Sequence, residues 1–287
     1  MIIAHTLSEL HDALRDSRAR VFIPTMGNLH EGHLQLIRHG KALCSSPKDL
    51  TVASIFVNRL QFAPHEDFDQ YPRTFEHDCE LLRARGCDVV FAPNETLMYP
   101  QAQTFKVHPP AELANLCEGH FRPGFFVGVC TVVMKLFHMV NPTTAIFGKK
   151  DYQQWKVLQQ MVQQMAMPIE IVGFPIERSK EGLALSSRNG YLNEDQKRQA
   201  LALQAQLKTV AEFVRSQTKD FKAQCQLGMK ALNASGWRVD YLAVCQQSDL
   251  LEVDQWSEGD LVILAAATLG STRLIDNLEV LRSERRQ

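Results

Sequence analysis

Two histidines three residues apart, His30 and His33, lie in the segment P-T-M-G-N-L-H-E-G-H at residues 24–33. The two glycines of this segment allow a tight backbone turn, and apolar side chains at helical spacing follow between Leu34 and Leu43. Because the free N–H groups at the start of a helix attract phosphate, we expect both imidazoles to face a bound phosphate. A polar turn with satisfied histidines is the plainer alternative. Zinc is disfavoured, since H-E-x-x-H sites need histidines four residues apart on one helix face.

A second candidate phosphate site is the segment F-G-K-K-D-Y-Q-Q at residues 147–154. It again predicts a strand, a glycine and the start of a helix. Lys149 and Lys150 can meet a polyphosphate, and Asp151 can either hold Mg²⁺ or cap the helix.

The segment L-A-L-S-S-R-N at residues 183–189 carries two hydroxyls and a guanidinium in succession. Arginine binds phosphate oxygens bidentately and serines donate beside it, so Ser186, Ser187 and Arg188 predict a phosphate clamp. The alternative is a β-hairpin, because an Asn-Gly turn signal lies within residues 185–192. A serine nucleophile is disfavoured, since neither a G-x-S-x-G elbow nor an identifiable base accompanies these serines.

Two familiar nucleotide motifs are absent from the sequence. Without a G-x-x-x-x-G-K-[ST] segment, ATP would have to be held by something other than a P-loop. Tyr152 and Lys156 have the Y-x-x-x-K spacing of short-chain dehydrogenases, but no G-x-G-x-x-G fingerprint accompanies them. The pair therefore does not indicate a dehydrogenase.

Polar side chains between aromatic ones follow the second apolar strand, in S-I-F-V-N-R-L-Q-F at residues 54–62. Asn58 and Gln61, with Phe62 beside them, suit a small, branched, hydroxylated substrate. The plainer interpretation is a strand end followed by a polar loop.

Alternating strands and helices must position these segments. Apolar strands are predicted at residues 20–24, 50–57, 87–92, 144–147 and 169–174, and helices at 34–43, 75–85, 127–140 and 151–165. This alternation predicts a parallel sheet covered on both faces, with ligands at the carboxyl ends of its strands. Beyond it, helices are predicted near 193–216 and 221–234, and strands near 239–245, 261–268 and 273–275. We therefore predict two domains, residues 1–176 around the parallel sheet and residues 177–287 with a smaller α+β fold.

Composition restricts the function further. The 287 residues include 31 basic and 32 acidic side chains, so no long-range field draws the chain to nucleic acid or a membrane surface, and small-molecule partners are expected. Seven cysteines without a C-x-x-C pair argue against disulfides and a zinc ribbon, and favour reduced thiols in the cytoplasm. The N-terminus lacks the layout of a secretory signal, and no segment approaches the apolar length of a membrane span.

Six motifs, taken together and in order, resemble the pantothenate synthetase (pantoate–β-alanine ligase) family. They are P-T-M-G-N-L-H-E-G-H, S-I-F-V-N-x-x-Q-F, Y-P-R-T at residues 71–74, R-P-G-x-F-x-G-V, F-G-x-K-D-Y-Q-Q and G-L-A-L-S-S-R-N-x-Y-L. The match runs from Phe22 to Leu192, and Leu274-Ile275-Asp276-Asn277 resembles the family's C-terminal strand. The resemblance implies a Rossmann-like, nucleotidyltransferase-type domain, a lid-like C-terminal α+β domain, and a homodimer.

The resemblance also implies a two-step reaction. ATP activates (R)-pantoate as pantoyl adenylate with release of pyrophosphate, and β-alanine then attacks the acyl carbon to give pantothenate and AMP. His33 is implied as the proton donor, with His30 and Lys150 on the phosphates and Asp151 on Mg²⁺.

The implied binding positions follow from the matched motifs. Those for pantoate and β-alanine are Asn58, Gln61, Phe62 and Gln154. Those for ATP are Met26, Gly27, Asn28, Leu29, His30, Glu31, Gly32, His33, Gly148, Lys149, Lys150, Asp151, Glu177, Leu185, Ser186, Ser187 and Arg188.

The sequence departs from the family pattern at three positions. Arg59 replaces a usual proline, Lys149 a usual glutamate and Phe125 a common histidine. An adenylyltransferase that joins AMP to a phosphorylated acceptor is one alternative, opposed by Gln61 and Gln154. A nucleotide-binding protein without turnover is another. We expect activity to survive, because the matched residues that would touch substrate are all present.

Overall fold

The structure is a computed structural model that describes residues 1–63, 66 and 68–285. Contacts within the chain divide it into two compact units. The first comprises Met1–Pro110, Arg122–Lys149 and Gln154–Glu177, and the second comprises Ala111–Phe121, Lys150–Gln153 and Arg178–Gln287. The boundary after residue 176 stays a prediction about independently folding domains. Residues 64, 65 and 67 of its first domain and 286 and 287 of its second lie outside the described residues.

A six-stranded parallel sheet forms the centre of the first unit. Its strands are β1 (Ile2–Ala4), β2 (Ala19–Thr25), β3 (Asp49–Ile55), β4 (Val89–Phe91), β5 (Thr144–Gly148) and β6 (Glu170–Phe174). Their spatial order is β1-β4-β3-β2-β5-β6, and each neighbouring pair is parallel. The sheet confirms the predicted Rossmann-like α/β class. The three-residue strand β1 was not predicted, because it is too short to show a period.

Helices alternate with these strands along the chain. Along the chain they are α1 (Leu7–Leu14), α2 (Glu31–Leu43), α3 (Phe75–Ala84), α4 (Glu95–Met98), α5 (Ala111–Ala114), α6 (Cys117–Phe121), α7 (Phe125–Val140) and α8 (Tyr152–Gln164). Of these, α5 and α6 belong to the second unit. Helix α7 is apolar along most of its length and ends where Asn141, which precedes Pro142, adopts a left-handed conformation.

The parallel strands are buried on both faces. Phe22, Ile23, Val52, Ala53 and Ile146 are fully buried, and consecutive residues of a strand point to opposite faces of the sheet. The continuous apolar pattern of the strands predicted this burial. The candidate site residues at 26–33, 58–62 and 149–154 follow the carboxyl ends of β2, β3 and β5, respectively.

The second unit contains a three-stranded antiparallel sheet and two long helices. The elements are α9 (Glu194–Ser216), α10 (Phe221–Ala234), β7 (Trp237–Gln246), β8 (Leu261–Leu269) and β9 (Thr272–Val280), with sheet order β7-β8-β9. Helix α9 begins at a capping box formed by Asn193 and Gln196. Its Leu207 and Val210 share one buried cluster with Phe221. This arrangement confirms the smaller α+β fold.

The hairpin alternative at residues 185–192 is wrong. Ser187–Tyr191 form a 3₁₀ helix, and neither Asn189 nor Gly190 has the positive φ that a tight hairpin turn requires. Ser186 caps this helix by accepting a hydrogen bond from the N–H of Arg188, and the amide of Asn189 donates to the carbonyl of Ala184. These local hydrogen bonds outweigh the turn preference of the Asn-Gly pair.

Candidate active site

The loop that joins β2 to α2, residues 26–30, has an unusual backbone. Gly27 and Asn28 have φ values of 79° and 50°. A Cβ on Gly27 would lie 3.0 Å from Oδ2 of Asp78 and 3.1 Å from Cγ2 of Ile55, so glycine is needed for both conformation and space. Asparagine visits the left-handed region more readily than most residues. The sequence therefore permits this turn, but a partner must hold it.

That partner is Asp78, on α3. Its Oδ2 accepts the N–H of Asn28 at 2.9 Å, and its Oδ1 accepts the N–H of Leu29 at 2.8 Å. The residue is only 1% exposed. Sequence reasoning missed Asp78 because it lies 50 residues from Asn28 along the chain. One sequence signal could have indicated it: Asp78 lies next to Cys79 on the side of α3 that is buried.

His30 and His33 lie together at the N-terminus of α2, with ring centroids 4.1 Å apart. Nδ1 of His30 accepts the N–H of Gly32 at 3.2 Å, and Nδ1 of His33 accepts the N–H of His30 at 3.4 Å. A ring nitrogen that accepts an N–H bond carries no proton, so each neutral ring holds its proton on Nε2. Helix α2 thus begins at Glu31, before the apolar pattern does, and the two rings offer Nε2–H donors at its start.

Gly32 leaves room for the capping ring. A Cβ here would lie 2.9 Å from Cε1 of His30 and 3.7 Å from Cβ of Glu177. Glu177 therefore lies near the start of α2, within the first unit.

Other side chains of this segment are engaged by the protein. Leu29 is buried. The carboxylate of Glu31 accepts hydrogen bonds from Arg85 at 3.0 Å and from Gln35 at 2.7 Å. Any contact of Glu31 with ATP would have to come from its backbone or compete with these bonds.

A chain of hydrogen bonds orients Gln61. The hydroxyl of Tyr99 donates to Oδ1 of Asn58 at 2.7 Å, and Nδ2 of Asn58 donates to Oε1 of Gln61 at 3.1 Å and to the carbonyl of Gly128 at 3.2 Å. Since Oε1 of Gln61 is an acceptor, its Nε2 is the donor end, and it lies 3.0 Å from Sδ of Met26. Burial raises the pKa of Tyr99, which keeps its hydroxyl a donor. Asn58 is 1% exposed, and its side chain orients Gln61. Its contact with a substrate stays a prediction.

A cavity of about 380 Å³ lies beside Gln61 and Phe62, within the first unit. The ring of Phe62 packs edge-on against Tyr71 with centroids 5.9 Å apart. Arg122, the first residue of the R-P-G-x-F-x-G-V motif, lines this cavity and pairs with Glu66 at 2.7 Å. The cavity is large enough for a small hydroxy acid, with an apolar ring and an amide donor in its wall.

The carboxyl end of β5 is open at Gly148, where an added Cβ would contact nothing within 4 Å. The ammonium of Lys149 lies 5.1 Å from the ring centroid of Trp155, and that of Lys156 lies 5.2 Å from it. Lys149 therefore makes a cation–π contact within the first unit. Gln154 lies beside Trp155 in the first turn of α8 and is half-buried.

In the second unit, β9 anchors the backbone around Lys150. The amide of Asn277 donates to the carbonyl of Lys150 at 3.0 Å, and the hydroxyl of Tyr152 donates to Glu279 at 3.0 Å. Nζ of Lys150 lies 4.0 Å from Oδ2 of Asp151, whose side chain is 48% exposed. Burial, with Glu279 beside it, raises the pKa of Tyr152. This phenol therefore stays protonated, which speaks against a dehydrogenase-type catalytic tyrosine.

The segment that carries Ser186 follows a second anchor. Both terminal nitrogens of Arg178 donate to the carboxylate of Asp276 at 2.8 Å, and Arg178 pairs with Ala184 in an isolated bridge. The hydroxyl oxygen of Ser186 accepts the N–H of Arg188 at 3.3 Å, so its proton remains available for another acceptor. Leu185, Ser187 and Arg188 are half-buried beside it.

A buried polar cluster fixes the segment Ala111–Phe121 within the second unit. Arg273 donates to both oxygens of Glu118 at 2.7 and 2.8 Å, and the hydroxyl of Tyr241 donates to Glu118 at 2.9 Å. The amide of Gln153 bonds the carbonyls of Leu113 and Leu116 at 2.8 Å. Burial acts to lower the pKa of Arg273, but its hydrogen bonds to Glu118 and Asp240 outweigh it and raise that pKa.

Comparison with known proteins decides the family. A family model described as pantoate-beta-alanine ligase matches residues 2–279. The pantothenate synthetase of Leptothrix cholodnii is 55% identical over 97% of this chain and all of its own length. That of Paracidovorax citrulli is 53% identical with the same coverage.

The chain belongs to the pantoate-beta-alanine ligase family.

Solved structures of pantoate-beta-alanine ligases have the same fold. The Thermus thermophilus enzyme has a TM-score of 0.89 at 40% identity, over 98% of this chain and all of its own. The Francisella tularensis enzyme, complexed with beta-gamma ATP and beta-alanine, has a TM-score of 0.78 at 32% identity and 97% coverage of both chains.

Neither a metal-binding cluster nor a membrane-spanning helix is found among the described residues of this ligase. Within residues 1–63, 66 and 68–285, no group of three or more histidine, cysteine, aspartate or glutamate side chains can hold a metal ion. No helix among these residues is long and apolar enough to cross a membrane.

Proposed function

We propose that this ligase condenses (R)-pantoate with β-alanine in two ATP-dependent steps. In the first, a carboxylate oxygen of pantoate attacks the α-phosphorus of ATP, the bond to pyrophosphate breaks, and pantoyl adenylate forms. In the second, the amine of β-alanine attacks the acyl carbon, the bond to AMP breaks, and pantothenate forms. The observation that carries the proposal is the pair of imidazole donors at the start of α2, in a chain of this family.

The histidines supply donors where negative charge develops. Attack at the α-phosphorus places charge on its oxygens and on the departing pyrophosphate, and preorganised donors stabilise that charge. We assign His33 as the proton donor and His30 as a phosphate contact. The N-terminus of α2 adds the favourable end of its dipole. The rest of residues 26–33 would line ATP, and Glu177 would meet adenine through its backbone.

Gln61 and Gln154 are assigned to pantoate, and Gln61 also to β-alanine. Because Gln61 offers Nε2–H, it suits a hydroxyl or carboxylate oxygen. Phe62 would pack on the methyl groups of pantoate. A substrate that lacks the matching oxygen would leave this amide unpaired, which gives selectivity.

Lys150 is assigned to phosphate and Asp151 to Mg²⁺. Mg²⁺ in nucleotide sites is usually bound by one or two carboxylates together with substrate phosphates, and Asp151 is a half-exposed carboxylate. This donor set therefore fits Mg²⁺ that arrives with ATP, which would screen the phosphate charge. Gly148 and Lys149 would continue the nucleotide site.

Ser186, Ser187 and Arg188, with Leu185 before them, are assigned to the β- and γ-phosphates. The free hydroxyl proton of Ser186 and the guanidinium of Arg188 suit phosphate oxygens. The complex of the Francisella tularensis relative with beta-gamma ATP and beta-alanine supports both ligand classes. A homodimer and a cytoplasmic location stay predictions.

Exchange of labelled pyrophosphate into ATP tests the first step. We expect exchange that depends on pantoate, and a loss of about 100-fold or more in the His33→Ala variant, as is usual for removal of a donor that stabilises developing charge. Undiminished exchange in this variant would contradict the role of His33.

Product analysis separates the alternatives. With β-alanine present, free AMP and pantothenate are expected in equal amounts. An adenylylated acceptor would identify an adenylyltransferase instead. ATP binding without exchange or AMP would identify a nucleotide-binding protein without turnover.

A further inference from the structure

A buried carboxylate outside the matched motifs holds the loop at residues 26–30. Asp78 accepts the N–H groups of two consecutive residues, Asn28 and Leu29, and its Oδ2 also accepts the hydroxyl of Thr74 at 3.2 Å. Within the described residues no lysine or arginine pairs with it. These three hydrogen bonds satisfy both oxygens of the buried side chain.

The loop backbone is shaped around this carboxylate. Positive φ at Gly27 and Asn28 turns successive N–H groups to one side, which creates an anion-binding concavity of the kind that often holds phosphate. Here the concavity is filled by Asp78, so the N–H groups of Asn28 and Leu29 are not available to ATP. The phosphates of ATP must therefore be bound by other groups, which are the N–H groups at the start of α2 and the two imidazoles.

We propose that Asp78 is a positioning residue for the first step of the reaction, an inference that rests on the proposed function. By fixing the loop, Asp78 fixes both of its ends. One end is His30, whose ring caps α2 and whose N–H bonds His33. The other end is Met26, whose Sδ contacts the amide of Gln61. Releasing the loop displaces the donors from the transition state while the body of the unit stays folded.

Asp49 provides a matched control. It is 3% exposed and likewise accepts the N–H groups of two consecutive residues, Ser45 and Ser46, both at 2.9 Å. A hydrogen bond from Arg18 is the main cause of its lowered pKa. Asp49 begins β3, so it lies at the amino ends of the parallel strands, whereas the loop held by Asp78 follows a carboxyl end.

The test compares Asp78→Asn with Asp49→Asn. Asparagine keeps the shape but offers one acceptor, so its NH₂ group opposes one loop N–H. In Asp78→Asn we expect kcat for pantoate-dependent exchange to fall about 50-fold, because a displacement of about 1 Å in an active site costs roughly 100-fold. The KM for ATP should change by less than about fivefold, since many other groups bind ATP. In Asp49→Asn, kcat and KM should stay within about twofold of wild type, although stability falls.

Two kinetic results for Asp78→Asn and Asp49→Asn would overturn the proposal. One is a kcat for Asp78→Asn within about threefold of wild type, and the other is an equal loss of kcat in Asp49→Asn, which would indicate a general effect of stability. If Asp78→Asn fails to fold, Thr74→Val removes one hydrogen bond to the carboxylate without removing a helix cap, because the Thr74 side chain makes no cap bond. It should lower kcat about threefold, and an unchanged kcat would count against the proposal.

Hydrogen exchange separates this proposal from the proposed function. The amides of Asn28 and Leu29 should exchange much faster in Asp78→Asn than in wild type, while the amides of β2 stay protected. If the wild-type protein showed no pantoate-dependent exchange of pyrophosphate into ATP, this would refute the proposed function but not the role of Asp78. Unchanged protection of Asn28 and Leu29 would refute the role of Asp78, whatever the activity.

Discussion

The loop at residues 26–30 and the segment at residues 185–188 are held by different means. In the first unit, Asp78 binds the loop from 50 residues away, through a carboxylate that is almost fully buried. In the second unit, Ser186 caps its own 3₁₀ helix with its hydroxyl, two residues from the N–H that it accepts. The hydrogen bonds from Asp78 join distant parts of the chain, whereas the cap at Ser186 is local in sequence.

Ion pairs of the second unit show the same contrast. Glu118 and Arg273 are 155 residues apart and have side chains 10% and 26% exposed. Glu194 and Lys197 are neighbours on one helix turn, with side chains 77% and 42% exposed. Removing one partner of a buried pair leaves an uncompensated charge, while water replaces the partner of an exposed one. Distant, buried partners should therefore dominate both stability and site geometry.

The largest effect is expected for Glu118→Gln. It leaves Arg273 without its main carboxylate partner and should lower the free energy of unfolding by about 3 kcal/mol. Glu194→Gln, at the exposed pair, should produce no measurable change. Chemical denaturation followed by circular dichroism measures both. Equal losses of unfolding free energy in the two variants would show that sequence distance and burial do not decide how much an ion pair stabilises the fold.

Gly27→Ala should have the next largest effect, on activity. Its Cβ would lie 3.0 Å from Oδ2 of Asp78, and a φ of 79° disfavours alanine. We expect kcat/KM for ATP to fall about 100-fold, because the loop must shift to accept the methyl group. Gly190→Ala is the control, since its Cβ would contact nothing within 4 Å. Steady-state kinetics on both variants would refute the argument if Gly27→Ala retained activity comparable with Gly190→Ala.

The sequence predicted elements with a clear period well. The helix predicted at 221–234 coincides with α10, and the apolar strands all appear in the sheets. Periodicity predicts helices and strands because the side chains on the buried face of an element recur at a fixed spacing along the chain. It did not reveal α1, although Thr6 and Glu9 form a capping box that a search for start signals would have found.

Site geometry was less predictable than site membership. The motifs brought attention to His30, Gln61 and Ser186, but nothing local shows that Asp78 holds the loop or that Tyr99 orients Gln61 through Asn58. Such contacts join segments that are far apart in the sequence. These contacts form only in the folded chain, where the carboxyl ends of the parallel strands lie side by side.

Ser186→Ala tests the locally held segment. The change removes one cap hydrogen bond and one potential donor to phosphate, so we expect the KM for ATP to rise about fivefold, equivalent to one hydrogen bond of about 1 kcal/mol. Ser186→Thr keeps a hydroxyl and should restore most of the affinity. Equal KM values for Ser186→Ala and wild type would show that this hydroxyl does not contact ATP.

The smallest effect is expected for Lys149→Gln, at the position that departs most in charge from the family pattern. A lysine beside the phosphate site would tighten ATP binding if its ammonium reached the phosphates. The ammonium instead lies over Trp155, with Lys156 over the same ring. We expect the KM for ATP to change less than about threefold, since a cation–π contact at a partly exposed site is worth about 0.5–1 kcal/mol.

Lys150→Gln serves as the matched comparison for Lys149→Gln. It removes the neighbouring ammonium, which we assign to phosphate, and charge-assisted hydrogen bonds are worth about 1.5–3 kcal/mol, so the KM for ATP should rise at least about tenfold. If the two variants raised this KM equally, Lys149 would leave Trp155 to bind phosphate. The two lysines would then act together, and the replacement of glutamate would strengthen ATP binding rather than leave it nearly unchanged.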